Sequence, residues 1–298
     1  MATLLAVSAC GVQAGTPGPA ESASPAEALP VAEAGASNLS MIAPDLPDLF
    51  GLPKSVSLAA DFAELQAALD GRMGLAAMPV GGGDMTVLGN WSTGIAWSTI
   101  KVPLALAALR RDRELRDVAE AAITYSDNDA AQQLWNSLGT DEEAADAVQA
   151  ILHEAGDDYT DVGMRHTRLA TLGSDDLLSF GATDWTLTDQ ARFAAKLPCL
   201  PRASSVISLM SEITPSQSWG LGHLFGAEFK GGWGPDDDTG MYTVRQFGLI
   251  PTLAGPVAVA LAAEPASGTF EDATDMMDRM ALLLGEHLPE LRGGLCGQ

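Results

Sequence analysis

The chain has 298 residues, 47% of them apolar, enough to bury a sizeable core in one large domain or two small ones. Its 39 acidic and 16 basic residues leave a formal charge of −23, which excludes charge-driven binding to nucleic acid or to an anionic membrane surface and favours a small-molecule or wall-polymer substrate. The three cysteines, Cys10, Cys199 and Cys296, form no C-x-x-C pair, so neither a structural zinc site nor a thioredoxin-like redox motif is expected, and no metal or cofactor is assigned.

Residues 1–10 are a short apolar run ending in Val7-Ser8-Ala9-Cys10, which resembles a bacterial lipoprotein signal whose cysteine becomes the lipidated first residue of the mature protein. No Lys or Arg precedes the run and it is shorter than a normal signal core, which points to a translation start upstream of Met1; a meaningless apolar N-terminus is the plainer alternative. Residues 11–50 are dense in Ala, Pro, Ser, Gly and Glu with little apolar periodicity, the composition of a disordered tether, and residues 51–298 form the folded domain. No apolar stretch reaches the roughly 18 residues of a membrane-spanning helix, so membrane contact is expected only through a lipid anchor at Cys10. The expectation is an exported single domain of the cell envelope, acting as a monomer and binding no nucleic acid.

From residue 51 onward, Ala59–Leu69 places Phe62, Leu65 and Leu69 at helical spacing. Met73–Val80 and Met85–Leu88 read as strands joined by Gly81-Gly82-Gly83-Asp84, a hairpin turn by composition. A helix is predicted from Ser98 to about Arg110, with Val102, Leu106 and Leu109 inward, followed by helices at about 116–124, 127–138 and 141–155. Periodicity fails from Gly156 to Asp184, a long loop. Helices at about 186–197 and 203–212 precede three strands, Leu224–Trp233, Tyr242–Ile250 and Val257–Ala263, and a closing helix, Thr269–Leu284. Two strands early, three late and helices between predict an α+β fold: a sheet assembled from both chain ends, with a helical subdomain at about 98–212 inserted.

A serine hydroxyl is a poor nucleophile at neutral pH unless a neighbour takes its proton, and a lysine one turn along can reach it. Ser98 and Lys101 have that spacing, and of the four lysines, Lys54, Lys101, Lys196 and Lys230, only Lys101 follows a serine by three residues. The plainer alternative is an exposed lysine after an N-cap serine. Ser126-Asp127-Asn128 lies at a junction of two helices, where Ser126 suits proton relay and the Asn128 amide suits a substrate amide; ordinary helix capping explains it equally. Lys230-Gly231-Gly232 lies in a strand, where the glycines admit close approach of ligand to backbone beside a fixed positive charge; an edge-strand lysine with a bulge is the alternative.

In that order the three motifs resemble the penicillin-recognising serine enzymes, most closely class A β-lactamases, marked by S-x-x-K, S-D-N and K-T-G. The segments WSTIKVPLALAAL, AAITYSDNDAAQQL, TDWTLTDQARFAAKL and EFKGGWG extend the likeness over about residues 55–288. The resemblance implies a β-lactamase/transpeptidase-like fold, acyl transfer to a β-lactam or a cell-wall peptide or ester, and no cofactor. It implies Ser98 as the acylated nucleophile, Lys101 as base, Ser126 as proton relay, Asn128 as amide binder and Lys230 as electrostatic anchor. Gly232 would line the substrate strand, and the oxyanion hole would be the N–H groups of Ser98 and Trp233.

Three departures bear on function. Only 28 residues separate Ser98 from Ser126, short for the family, which implies a more open cleft. Gly231 replaces the hydroxyl residue that would hold a substrate carboxylate. The family's E-x-x-L-N, whose Glu activates the deacylating water, is missing from the long loop; aligning GDDYTDVGMRHTRLA places His166 there, either a base or an ordinary loop residue. A D-alanyl peptidase or esterase with slow deacylation and a wall-binding pseudoenzyme are the rival readings. Cys199 and Cys296 are candidates for a disulfide in an oxidising compartment. Trp97, Trp219 and Trp233 are expected to serve packing, with Trp97 and Trp233 beside the motifs.

Overall fold

The computed structural model describes residues 57–162, 179–235 and 239–297, all within the unit Leu52–Gln298. The expectations for Cys10, the 11–50 tether and His166 fall outside the described residues.

Helix α1 (Leu58–Ala68) starts at Ser57, whose hydroxyl accepts from the N–H of Ala60. Strands β1 (Gly71–Pro79) and β2 (Thr86–Gly89) form the expected hairpin, and a short strand β3 (Thr93–Ile95) follows. The helical block comprises α2 (Lys101–Arg111), α3 (Arg116–Thr124), α4 (Asn128–Ser137) and α5 (Asp141–Glu154). Then come β4 (Asp184–Thr186), α6 (Leu187–Lys196), α7 (Ser204–Met210), β5 (Glu228–Pro235), β6 (Tyr242–Ile250), β7 (Val257–Pro265) and α8 (Phe270–Glu286). Side-chain caps start several helices: Asp127 accepts from Ala130, Thr186 from Asp189 and Thr269 from Asp272, and Thr140 with Glu143 closes a capping box on α5.

The main sheet is antiparallel, in the order β2-β1-β7-β6-β5. Its middle ladder runs from Gly71 opposite Pro265 to Pro79 opposite Val257, so the start and end of the domain close the sheet together. Strand β7, VAVALAAEP, is buried at every position, as a strand covered on both faces must be, and it therefore reads as a continuous apolar run. On one face Phe62 of α1 and Met276, Met277 and Met280 of α8 pack against Leu75, Val244, Val259 and Leu261. On the other, Ala76, Phe247 and Ala260 meet Phe193 of α6, Trp185 and the helical block.

Helix α2 lies at the centre of that block, and Lys101 through Leu109 are all buried. The expected one-sided stripe of Val102, Leu106 and Leu109 is thus corrected: α3, α4, α5 and α7 surround the helix, so it is covered all round. Two boundaries also move. The run opening at Trp97 is a 3-10 turn to Ile100 before α2 begins, and the strand expected from Leu224 begins at Glu228 because Gly220–His223 forms another 3-10 turn. Strands β3 and β4, which pair Thr93 with Thr186 and Ile95 with Asp184, were not expected; three residues are too few for an alternation to show. Cys199, after α6, and Cys296 are disulfide-bonded, with Cα atoms 5.4 Å apart. Among the described residues no helix is long and apolar enough to cross a membrane.

Candidate active site

Ser98 sits half-buried in the 3-10 turn Trp97–Ile100, and the N–H of Lys101 donates to its carbonyl. Side chains three apart eclipse in a 3-10 helix, so this turn carries Ser98 and Lys101 on one side. The turn is held from below by a buried polar chain. Arg245 of β6 donates through Nη1 to the carbonyls of Gly94 (2.9 Å) and Ile95 (3.1 Å) and through Nη2 to Trp185 O and Gln190 Oε1, each at 3.0 Å. Gln190 Nε2 in turn donates to Thr99 Oγ1 (2.9 Å), which donates to Ala96 O (2.5 Å). Burial lowers Arg245 to about 9 against the pull of Asp184, so it stays cationic at neutral pH, and it lies over the Trp91 ring at 5.1 Å. Arg245, Gln190 and Thr99 were not singled out in the sequence. The lone arginine in the apolar strand YTVRQFGLI was the available signal.

Lys101 Nζ donates to Ser126 O (2.6 Å), Asp127 O (3.2 Å) and Asn128 Oδ1 (2.7 Å), and lies 3.5 Å from Ser126 Oγ. Lys230 Nζ donates to the same Ser126 Oγ at 2.9 Å and to Gly231 O at 2.8 Å. One hydroxyl therefore bridges two amines drawn from α2 and β5. Because Asn128 turns its oxygen toward Lys101, its NH2 remains for an acceptor outside. The alternative reading of Lys101 as an exposed helical lysine fails, since 1% of it is exposed; Lys230 is on the edge strand but wholly buried.

Burial pushes the Lys101 ammonium from its usual 10.5 down to about 7, with the Asp127 carboxylate opposing. Burial also lowers Lys230 well below its usual value, and the charge of Lys101 lowers it further. An amine near 7 is half neutral at physiological pH and able to take a proton from a serine.

Gly232 closes the site from the sheet side. A Cβ there would stand 2.9 Å from Ala96 O and from Ser98 N and 3.0 Å from Thr99 N, all backbone, so only glycine lets β5 lie against the nucleophile turn. Trp233, the next residue, is half-buried and packs edge-on against Trp219 and at a tilt against Phe270. Among the described residues, three non-glycine positions have left-handed backbone, and two of them, Trp97 (φ 50°) and Ser126 (φ 58°), fall here. Such conformations cost about 1–3 kcal/mol each and cluster where function requires them. The Trp97 ring lies on Gly234, where a Cβ would come within 2.4–2.5 Å of three ring carbons.

No protein-family model and no curated protein matches the chain. Solved structures do. A class A beta-lactamase from Mycobacterium abscessus superposes at a TM-score of 0.60 with 15% identity, covering 78% of this chain and 100% of that one. The putative class A beta-lactamase PenP from Rhodopseudomonas palustris gives 0.59 and 20%, covering 77% and 98%. The chromosome-encoded beta-lactamase of Vibrio parahaemolyticus gives 0.60 and 16%, covering 78% and 100%. The fold is that of the class A β-lactamases. At these identities the β-lactamase likeness extends to the architecture alone, and the site has to be argued from its own side chains.

Proposed function

We propose that the protein is a serine hydrolase that forms an acyl-enzyme on Ser98. The observation that carries this is the convergence of two amines, Lys101 and Lys230, on the Ser126 hydroxyl beside the turn that bears Ser98.

In the acylation step, neutral Lys101 takes the Ser98 proton as Oγ attacks the acyl carbon, and the carbonyl electron pair moves onto oxygen. The N–H groups of Ser98 and Trp233 receive that charge, with Gly232 allowing the strand to lie close enough. As the intermediate collapses, the bond to the leaving nitrogen or oxygen breaks. Ser126 gives its proton to that atom and regains one from the ammonium beside it. Asn128 orients the substrate through its NH2 group. Water then cleaves the ester on Ser98; His166 is the sequence's candidate base for that step. The substrates in view are a β-lactam or a cell-wall peptide or ester.

The bonded pair Cys199–Cys296 supports the companion proposal that the domain works outside the reducing cytosol; attachment through a lipid at Cys10 is proposed from the sequence alone. Turnover of a chromogenic ester and a chromogenic lactam tests the catalytic reading. Ser98→Ala is expected to remove at least about a thousandfold of kcat/KM on whichever is cleaved, the scale seen when an activated nucleophile is lost. Turnover that survives Ser98→Ala would refute it.

A further inference from the structure

At the far end of α2, about 12 Å along its axis from Lys101, Leu109 lines a cavity of about 350 Å³. The rest of the wall is Arg113, Arg116, Arg202, Ser204 and Ser205, so three of the chain's 16 basic side chains meet there. Carboxylates outnumber basic side chains 39 to 16 in the chain, yet none lines this cavity. Among the described residues the three arginines enter no ion pair, although Asp112, Glu114 and Asp117 stand beside two of them in sequence. Asp112 is engaged with the N–H of Glu114.

The neighbouring arginines show what a structural role looks like here. Arg110 and Arg111 lie in the last turn of α2, where the helix dipole favours cations, and both are spent: Arg110 on Glu154 and Pro201 O, Arg111 on Leu138 O. Arg113 and Arg116 stand at the start of α3, the helix end where the dipole disfavours a cation, and neither side chain donates to a described group. Arg202 is the third non-glycine residue with left-handed backbone, at φ 64°. A reciprocal clasp fixes it: Arg110 Nε donates to Pro201 O (3.1 Å) and Arg202 Nη1 to Arg110 O (2.9 Å). Glycine would hold that conformation without cost, yet the position carries a guanidinium whose other two nitrogens are uncommitted.

We propose that Arg113, Arg116 and Arg202 form a binding site for a small phosphoryl dianion, apart from the Ser98 site. Guanidinium forks present paired donors that match phosphate oxygens, and no carboxylate in the wall repels the ligand. Three unpaired cations suit the nearly double charge of a phosphate group, whereas one carboxylate would leave two of them unmatched. The cavity has room beyond a bare phosphate, and Leu109 with the arginine stems gives an organic remainder an apolar wall. A long polyanion is opposed by the formal charge of −23. A compact ligand feels mainly the arginines, because salt screens exposed charges beyond about 8 Å. The inference does not depend on the acyl-transfer reading.

Isothermal titration calorimetry on the full chain tests this, with inorganic phosphate, glycerol 3-phosphate and malonate as ligands in a chloride buffer. Both phosphates are expected to bind, and malonate, a dianion without phosphoryl geometry, at least about tenfold more weakly. Tighter binding of glycerol 3-phosphate assigns the site to an ester, and equal binding to the free ion; either supports the site. Arg113→Gln, Arg116→Gln and Arg202→Gly each weaken phosphate binding at least about tenfold, the scale of one charge-assisted hydrogen bond. Glycine suits the left-handed backbone at 202, so a loss of binding there is not a loss of fold. Arg279→Gln removes the same charge from an exposed position of α8 and leaves binding unchanged. Ser98→Ala also leaves it unchanged, which keeps this result separate from the catalytic one. No binding of either phosphate, binding that all three variants retain, malonate bound as tightly, or equal weakening by Arg279→Gln overturns the site.

Discussion

At Lys101, burial and hydrogen bonding act on the proton in opposite directions. Three oxygen acceptors and the Asp127 carboxylate favour the ammonium, yet desolvation is the larger effect and brings the group to about 7. In an unfolded chain the same amine titrates near 10.5. Below pH 7 both states are protonated; between about 7 and 10.5 the unfolded state binds the extra proton, so this residue's contribution to stability improves as pH rises through that window. The stability difference between wild type and Lys101→Met, from urea melts, is therefore expected to shift toward the wild type from pH 7 to pH 10. A difference flat with pH would contradict the burial account. The sequence exposed Ser98, Lys101, Ser126, Asn128 and Lys230 because fixed spacings and scarce lysines single them out. It hid Arg245 and Gln190, whose partners lie 55 to 151 residues away and whose types carry no motif.

Among the elements, the 3-10 turn and the start of β5 work as a matched pair. The turn sets Ser98 and Lys101 on one side, and β5 approaches it only where Gly232 leaves no Cβ. Gly232→Ala puts a methyl group within 3.0 Å of three backbone atoms, none of which is the end of a flexible side chain. Its expected effect is to push the strand off the turn, lowering the rate of Ser98 acylation by at least about a hundredfold, as small displacements at a reacting centre do. The domain's thermal midpoint should fall by only a few degrees, because the core on both faces is untouched. Unchanged acylation would show that the close approach is not required. Most helices and long strands were legible within a few residues, since α6, α8 and β6 carry clear caps or apolar patterns. Strands β3 and β4 were not, being three residues each and held by one another and by Arg245 from a distant strand.

Across the whole domain, three separate stretches have to close on one hydroxyl, that of Ser126: the start of α2, the loop between α3 and α4, and the edge strand formed near the chain's end. The layout of two strands, a helical block and three strands announced that closure, since β1 can only be completed by β7. It did not announce the face on which Trp219 would stand, because that depends on where the turn Gly220–His223 releases the chain into β5. A lysine near 7 exists only if this closure excludes water from its ammonium, so the pH dependence of Ser98 phosphonylation measures chemistry and assembly together. Rates from intact mass between pH 5 and 9 should rise with a midpoint near 7 and level off above it, and Lys101→Arg, which keeps its proton throughout, should abolish the reaction. A rate independent of pH, or one that Lys101→Arg retains, would contradict the account.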